Sequence, residues 1–377
     1  TTFSADQIDL DYSNPEVLFE IVRVLLHYIS KGAEIIRLDA VTYLWKEAGT
    51  SSVHHPKTHG VLKLLRSVTE AVAPQVVILT ETNVPHQENI SYFGNGADEA
   101  QMVYNFALPP LVLHSFLTED ARKLTTWASG LSTPSRQTTF FNFLASHDGI
   151  GLRPVEAILS EAERKNLVET TKQHGGYVSS KTDPDGGESP YELNINYFDA
   201  LNDPAGGEPV ELQVRRFLSA QAIMLALAGV PGIYIHSLLG SRSAPEEVIR
   251  TGHARSINRK KFALHELERD LTDPGSLRSL VLTHFRPLLR CRKRLDAFDP
   301  SAPQEILDAP GGVFGLKRTG ANDTVYCLHN VSTQPQRLPG QLLPNTPLTD
   351  AVTGEVLTRE QAAALEPLQT RWLIADR

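Results

Sequence analysis

Three carboxylates stand directly after short apolar segments of the chain: Asp39, Glu81 and Asp148. They close the runs IIRLD, VVILTE and TTFFNFLASHD. Paired carboxylates suit glycosyl transfer, because one attacks or stabilises an oxocarbenium-like centre while a protonated acid releases the leaving oxygen. The three acids therefore predict a site that acts on a glycosidic bond. Taken alone, an acid at a strand end has a simpler interpretation as a turn former or a helix cap.

The segments before these acids have the pattern of buried parallel strands, which are continuous apolar runs bounded by polar residues. We predict strands over 35–39, 76–80, 101–106, 138–145 and 230–236. In a barrel of parallel strands, the side chains at the carboxyl ends converge on one mouth. The acids are therefore expected to share one rim.

Helical periodicity and Pro-rich alternation complete the predicted organisation. Helices are expected over 15–31, 57–73, 210–228 and 276–296. Short alternating runs after residue 303 predict a small antiparallel β-domain. We therefore divide the chain at residue 300, into a catalytic domain over 1–300 and a β-domain over 301–377.

The motifs RLDA, TETN and ASHDG, in this order, resemble those of the α-amylase superfamily, glycoside hydrolase family 13, whose members are retaining α-glucoside enzymes on a (β/α)8 barrel. Five longer segments are similar to its sucrose phosphorylase branch: KEAGT, VYNFALPPLVLH, ESPYELNINYFDAL, GVPGIYIHSLLG and TGHARSINR. The resemblance implies that the predicted strands are the fourth to the eighth of such a barrel. Five strands alone would leave exposed sheet edges. We therefore expect the chain to be one part of a longer polypeptide.

Roles for the three acids follow from the resemblance. It implies that Asp39 is the nucleophile, Glu81 the general acid/base and Asp148 the stabiliser of the transition state. Arg37 lies two residues before Asp39, on the same strand face, and is expected to keep that carboxylate charged; its alternative is an ordinary barrel ion pair. Glu81 must begin the reaction protonated, so we expect an apolar or acid-rich setting around it.

The remaining site residues are also implied by the resemblance. His147 would donate a hydrogen bond to sugar hydroxyls, or would merely satisfy backbone carbonyls. A phosphorylase must hold phosphate and exclude water, and Tyr191 and Arg255 would do so from mobile Gly/Pro-rich loops. The alternatives are a solvent-facing tyrosine and an arginine that only pins its loop.

The acceptor side of the site is less fully specified. His114 resembles the family position that contacts the acceptor. Glu192 stands where sucrose phosphorylases carry a glutamine, and a carboxylate only accepts hydrogen bonds, so fructose is disfavoured as the acceptor. Tyr191, Arg255 and His114 around a small acceptor would fit glycerate, whose carboxylate needs cations. Glu192 would then have to pair with an arginine or a hydroxyl. A loop with Asn89, Tyr92 and Phe93 is expected to cover the sugar or to lie at the surface.

Composition limits the possible partners. A net charge of −8 argues against nucleic acid binding, and 41% hydrophobic with 21% charged residues is ordinary for a globular protein. The chain has no apolar run of about 20 residues, so no membrane partner is expected. The two cysteines, Cys291 and Cys327, form no CxxC pair, which favours the cytoplasm.

No metal site is expected. DPDGGE at 183–188 is similar to a calcium loop but lacks the ligand spacing of an EF-hand. We also expect no cofactor, with inorganic phosphate as a co-substrate. The oligomeric state stays open.

The sequence thus predicts a retaining α-glucoside phosphorylase that acts on a small glucoside, such as glucosylglycerate or sucrose, and releases α-glucose 1-phosphate by double displacement. One alternative is a hydrolase or transglucosidase with the same three acids. A second alternative is an inactive scaffold or binding subunit.

Overall fold

The computed structural model describes residues 2–3, 5–182 and 186–375, so part of the DPDGGE segment lies outside the described residues. The helices are α1 Pro15–Ser30, α2 Pro56–Val72, α3 His86–Ile90, α4 Leu108–Thr118, α5 Arg122–Ser129, α6 Glu161–Gln173, α7 Tyr197–Leu201, α8 Val210–Ala226, α9 Ile235–Leu238, α10 Pro245–Thr251, α11 Leu264–Thr272, α12 Leu277–Arg294 and α13 Arg359–Ala362. The strands are β1 Ile35–Leu38, β2 Val77–Thr80, β3 Met102–Tyr104, β4 Thr139–Phe143, β5 Ile150–Gly151, β6 Tyr177–Thr182, β7 Glu188–Asn194, β8 Val230–Gly232, β9 Gln304–Ile306, β10 Val313–Thr319, β11 Thr324–Asn330, β12 Gln336–Arg337, β13 Leu348–Asp350, β14 Val356–Leu357, β15 Ala364–Leu365 and β16 Thr370–Ala375.

The chain divides into two compact units. Unit 1 comprises Thr1–Phe106 with Ser132–Phe141, and unit 2 comprises Ala107–Leu131 with Asn142–Arg377. The domain boundary predicted after residue 300 falls inside unit 2 and stays a prediction.

Unit 1 contains parallel strands β1, β2 and β3 and the first three residues of β4. The residues Val77–Thr80 are mostly buried, as expected for a strand covered on both faces. Helix α1 begins at Pro15, where the missing N–H costs no helical hydrogen bond, and Asn14 caps it by accepting from the N–H of Glu16. The alternation of strand and helix therefore brings the ends of β1 and β2 to one edge of the sheet.

Unit 2 contains the fifth strand of this sheet, β8, which lies next to β4 in the strand order. The amide of Asn142, near the end of β4, donates to the carbonyl of Ala228 at 2.9 Å and so ties the start of β8 to β4. A three-stranded sheet in the order β5, β7, β6 follows the ASHDG motif. Its pairing is antiparallel, with Gly151 opposite Glu192.

The C-terminal part of unit 2 is an antiparallel sheet of six strands, in the order β14, β13, β16, β11, β10, β9. Its inward side chains, such as Phe314, Cys327 and Trp372, are buried in one core together with Phe217 and Ile223 of α8. The predicted antiparallel β-domain is therefore confirmed as a fold.

All five predicted strands of the first sheet exist, and each is shorter than predicted. The prediction of a strand over 230–236 covers β8 but extends into α9, where Tyr234 caps a short helix. Among the described residues, no helix is both long enough and apolar enough to cross a membrane.

His329 gives unit 2 a predictable sensitivity to acid. It is fully buried in β11, and burial lowers its pKa from 6.5 to about 3. The folded state then keeps a neutral imidazole while the unfolded chain takes up a proton below pH 6.5. The free energy of unfolding should therefore fall as the pH drops from 6.5 towards 3, by at most about 1.4 kcal/mol per pH unit.

A His329→Gln variant should show a shallower loss of stability over this pH range in urea unfolding experiments. His284→Gln is the matched control, because His284 lies on the exposed face of α12. Equal slopes for His329→Gln and the unmodified protein would contradict the prediction.

Candidate active site

Asp39 is held by an arginine of its own strand. Nη1 of Arg37 donates to Oδ1 of Asp39 at 2.6 Å, and Nε of Arg37 donates to the hydroxyl of Tyr104 at 2.9 Å. Burial opposes the charge of Arg37, but Tyr104, Asp39 and Glu81 outweigh it and raise the arginine pKa. The Asp39 side chain stays 71% exposed, so a charged carboxylate is presented at the end of β1.

Glu81 follows β2 at the equivalent level. Leu38 pairs with Thr80 in the parallel register, so Asp39 and Glu81 are the next residues on adjacent strands. Strands lie about 4.8 Å apart, which is compatible with the roughly 5–5.5 Å between the carboxyl groups of retaining enzymes. The N–H of Ala40 donates to Oε2 of Glu81 at 2.9 Å and fixes the orientation of the carboxyl group.

Asn89 lies in α3, and Tyr92 and Phe93 follow it in a 3-10 helix. All three side chains are buried, so the surface alternative for them is wrong. Asn89 accepts from the hydroxyl of Thr82 at 2.6 Å and donates to the carbonyl of Tyr104 at 2.8 Å. This segment is therefore fastened to the ends of β2 and β3.

In unit 2, Asp148 faces two arginines of one short segment. Nη1 of Arg255 lies 2.7 Å from Oδ1 of Asp148, and Nη2 of Arg259 lies 3.4 Å from the same oxygen. The 3-10 helix Ala254–Asn258 carries Arg255, and Arg259 follows directly. Two cations thus surround a carboxylate that is 22% exposed.

Glu192 forms a bidentate pair with Arg255. The Nε and Nη2 groups of Arg255 donate to the two carboxylate oxygens of Glu192 at 2.9 and 2.6 Å. The N–H of Gly149 also donates to Glu192, at 3.0 Å. A side chain at Gly149 would come within 2.7 Å of this carboxylate, which explains the glycine of ASHDG. Burial opposes the charge of Arg255, but Glu192 and Asp148 raise its pKa.

Backbone contacts fix the orientation of the Asp148 segment. The Asn258 amide donates to the carbonyls of Ser146 and Asp148 at 3.1 and 2.9 Å. Nε of Arg259 donates to the carbonyl of His147. Nε2 of His147 lies 3.5 Å from Oδ2 of Asp148, and its side chain is 56% exposed, so a sugar-binding role stays a prediction for this residue.

Tyr191 was expected in a mobile loop, and this expectation is wrong. Tyr191 and Glu192 lie in β7, where alternating side chains face opposite sides of the sheet. The carbonyl of Tyr191 accepts from the N–H of Leu152 at 3.0 Å. The Gly/Pro content of the flanking sequence predicted a loop, but pairing with β5 and β6 turned it into a strand.

His114 lies in the middle of α4, six residues after Leu108, which is about 9 Å along the helix axis. It borders a cavity of about 790 Å³, with Nε2 3.5 Å from Oε1 of Glu163. Burial lowers the pKa of His114, although Glu163 and Asp120 oppose this shift. No contact with Asp148 or Arg255 is found for it among the described residues, and its acceptor role stays a prediction.

The sequence prediction missed three polar residues, one that contacts Arg37 and two that contact Asp148. Tyr104 is the last residue of β3, and Asn258 and Arg259 are the last two residues of the motif TGHARSINR. The sequence signals for a role in the site were the strand end for Tyr104 and the motif for the other two. Both signals are weak, because a tyrosine or an asparagine at such a position is common in loops.

Comparisons with known proteins agree with this geometry. Residues 1–151 match the catalytic domain of α-amylase. A glucosylglycerate phosphorylase of Spirochaeta thermophila is 49% identical over 95% of this chain and 62% of its own length. A glucosylglycerate phosphorylase of Escherichia coli K12 is 46% identical over 99% of this chain and 66% of its own length. The chain therefore spans about two thirds or less of these relatives.

A solved structure supports the fold. The crystal structure of sucrose 6F-phosphate phosphorylase from Thermoanaerobacter thermosaccharolyticum has a TM-score of 0.74 at 24% identity, over 88% of this chain and 64% of that one. At this identity the likeness concerns the fold alone: part of a (β/α)8 barrel followed by an antiparallel β-domain. The chain belongs to the α-amylase superfamily, glycoside hydrolase family 13, and to its sucrose phosphorylase-like branch.

Proposed function

We propose that this chain supplies the catalytic acids of a retaining α-glucoside phosphorylase. Asp39 attacks the anomeric carbon while Glu81 protonates the leaving oxygen, and phosphate then displaces the enzyme to give α-glucose 1-phosphate. Asp148 is proposed to stabilise the transition state. The adjacent strand positions of Asp39 and Glu81 support the first step.

The two arginines beside Asp148 are the observation that favours a phosphorylase over a hydrolase. Arg259 is 41% exposed and contacts Asp148 only at 3.4 Å, while Arg255 is already shared between two carboxylates. A guanidinium group presents a planar fork that suits phosphate oxygens. We therefore propose Arg259, together with Arg255 and Tyr191, for the phosphate-binding role, since a hydrolase that uses water has no need of a second cation.

Glucosylglycerate is the proposed substrate, and two relatives of this chain are named for its phosphorolysis. An unpaired Glu192 carboxylate would repel the carboxylate of glycerate. Glu192 is paired with Arg255, which reduces this repulsion. His147 is proposed to contact the sugar, and His114 the acceptor.

The remaining proposals concern the surroundings of the enzyme. Inorganic phosphate is the co-substrate, and we propose no metal and no other cofactor. A cytoplasmic location is proposed because both cysteines are buried thiols without a disulfide.

The test is release of glucose 1-phosphate by the full-length protein, with glucosylglycerate or sucrose and phosphate. Phosphate-dependent release from glucosylglycerate is expected. Release from sucrose alone would replace the substrate, and free glucose alone would indicate a hydrolase. Absence of any product would favour an inactive scaffold.

A further inference from the structure

The loop between Asp39 and α2 has an unusual backbone. Five described residues other than glycine have a positive φ, and three of them lie in this loop: Ala40 at 46°, Ser52 at 54° and His54 at 52°. Such a backbone conformation is strained for a residue other than glycine and persists only where its surroundings enforce it. The conformation of this loop bears on the site, because the N–H of Ala40 donates to Glu81.

His54 makes contacts that can enforce it. Its ring bridges two side chains of the segment after Glu81: Nδ1 lies 2.9 Å from the hydroxyl of Tyr92, and Nε2 lies 2.8 Å from Oε2 of Glu88. Its backbone N–H donates to the carbonyl of Thr42 at 3.2 Å. His54 thus connects loop 40–54 to the Glu88–Tyr92 segment.

The chemistry of the partners limits how the ring can sit. A carboxylate can only accept, so Nε2 of His54 donates to Glu88, and Nδ1 is left to share a hydrogen bond with the Tyr92 hydroxyl. Burial raises the pKa of Tyr92 to about 12, so this hydroxyl stays protonated. The two partners therefore select one orientation of the imidazole ring.

The segment that His54 contacts is itself rigid. Tyr92 and Phe93 are fully buried, and the ring of Tyr92 stacks on His59 of α2 with centroids 4.9 Å apart. Asn89 of the same segment bonds to the carbonyl of Tyr104. A connection to this packed segment can hold the loop over residues 40–54 in place.

We propose that His54 is a positioning residue that holds loop 40–54 against the Glu88–Tyr92 segment and thereby keeps the N–H of Ala40 on Glu81. The kinetic consequence rests on the proposed function. Without this N–H, the Glu81 carboxyl group would lose one of the contacts that orient it, and proton transfer to the leaving oxygen would slow. Substrate binding would change less, because no contact to the sugar is assigned to His54.

The test compares three variants of the full-length protein. His54→Asn keeps a residue that tolerates positive φ but is too short for both contacts, and Tyr92→Phe removes only a hydroxyl. His27→Gln is the control, since His27 is an exposed residue of α1 and lies outside loop 40–54.

Hydrogen–deuterium exchange gives a result that does not depend on activity. Peptides covering residues 40–44 should exchange at least about tenfold faster in His54→Asn and Tyr92→Phe. Peptides within α2 and all peptides of His27→Gln should exchange at the unmodified rate. Unchanged protection of residues 40–44 in both loop variants would overturn the proposal.

Kinetics test the catalytic consequence. With glucosylglycerate and phosphate, kcat should fall by roughly 30-fold or more in His54→Asn, because small displacements of a catalytic group are costly, and KM should change little. An unchanged kcat despite faster exchange would overturn the positioning role. An inactive unmodified protein would instead count against the proposed function, and the exchange result would still decide whether His54 holds the loop.

Discussion

Asp39→Asn should lower the rate of glucose 1-phosphate release by about 10⁴-fold or more, because an amide cannot attack the anomeric carbon. Arg37 holds Asp39 at 2.6 Å and would keep an isosteric side chain in place. The loss should therefore be confined to kcat, with an unchanged melting temperature. Initial rates with glucosylglycerate and phosphate, together with thermal unfolding, measure both quantities.

Two controls separate a missing nucleophile from damage to the site. Asp273→Asn changes an exposed turn residue and should leave the rate unaltered. Asp39→Gly with azide and α-glucosyl fluoride should form β-glucosyl azide, because a small anion can attack from the vacated face. Formation of α-glucosyl azide, or a residual rate within tenfold of the unmodified protein (about 1.4 kcal/mol), would rule out Asp39 as the nucleophile.

Arg255→Met should lower the free energy of unfolding by about 3 kcal/mol, because it leaves a buried carboxylate without its partner. The Glu192 side chain is 2% exposed, and among the described residues the N–H of Gly149 would then be left as its hydrogen-bond donor. Glu192→Gln added to Arg255→Met should restore more than half of this loss, since a neutral amide needs no cation. Urea unfolding of the two single variants and the double variant measures the coupling.

Arg259→Met is the matched control for this cycle. Its contact with Asp148 is longer, at 3.4 Å, and the guanidinium is 41% exposed, so the loss of stability should stay below about 1 kcal/mol. The same variant should weaken phosphate binding and raise the KM for phosphate. Strictly additive losses for Arg255→Met and Glu192→Gln would contradict the buried pair.

Local sequence was sufficient for the strands of the first sheet and for the positions of Asp39 and Glu81. The run VVIL is apolar without interruption and IIRL is interrupted only by Arg37, which is typical of strands in a parallel sheet. Asp39 and Glu81 directly follow β1 and β2, as predicted. The residue that directly follows a strand is positioned by that strand. Its place can therefore be predicted from the local sequence pattern alone.

The surroundings of Glu192 could not be predicted in this way. Its partner Arg255 is 63 residues further along the chain, and no periodicity connects the two. Sequence reasoning could state only that the carboxylate needed an arginine or a hydroxyl. The pairing of β7 with β5 buried Glu192 beside Gly149, and burial then made a charged partner necessary.

The same limit applies to the buried segment after Glu81. Asn89 and Tyr92 are polar and adjacent to a turn, which is typical of exposed loops, yet both are buried. Their contacts with Tyr104 and His54 cross between segments that follow different strands.

The sequence by itself determined the five strands of the first sheet and the places of Asp39 and Glu81 after β1 and β2, because these depend on patterns within about ten residues. The resemblance to the family implied the barrel. Tertiary structure alone decided which cation pairs with each acid, that Tyr191 lies in a strand, and that His54 connects two loops. Those outcomes depend on contacts between distant segments, whose geometry exists only after the sheets have formed and removed their side chains from water.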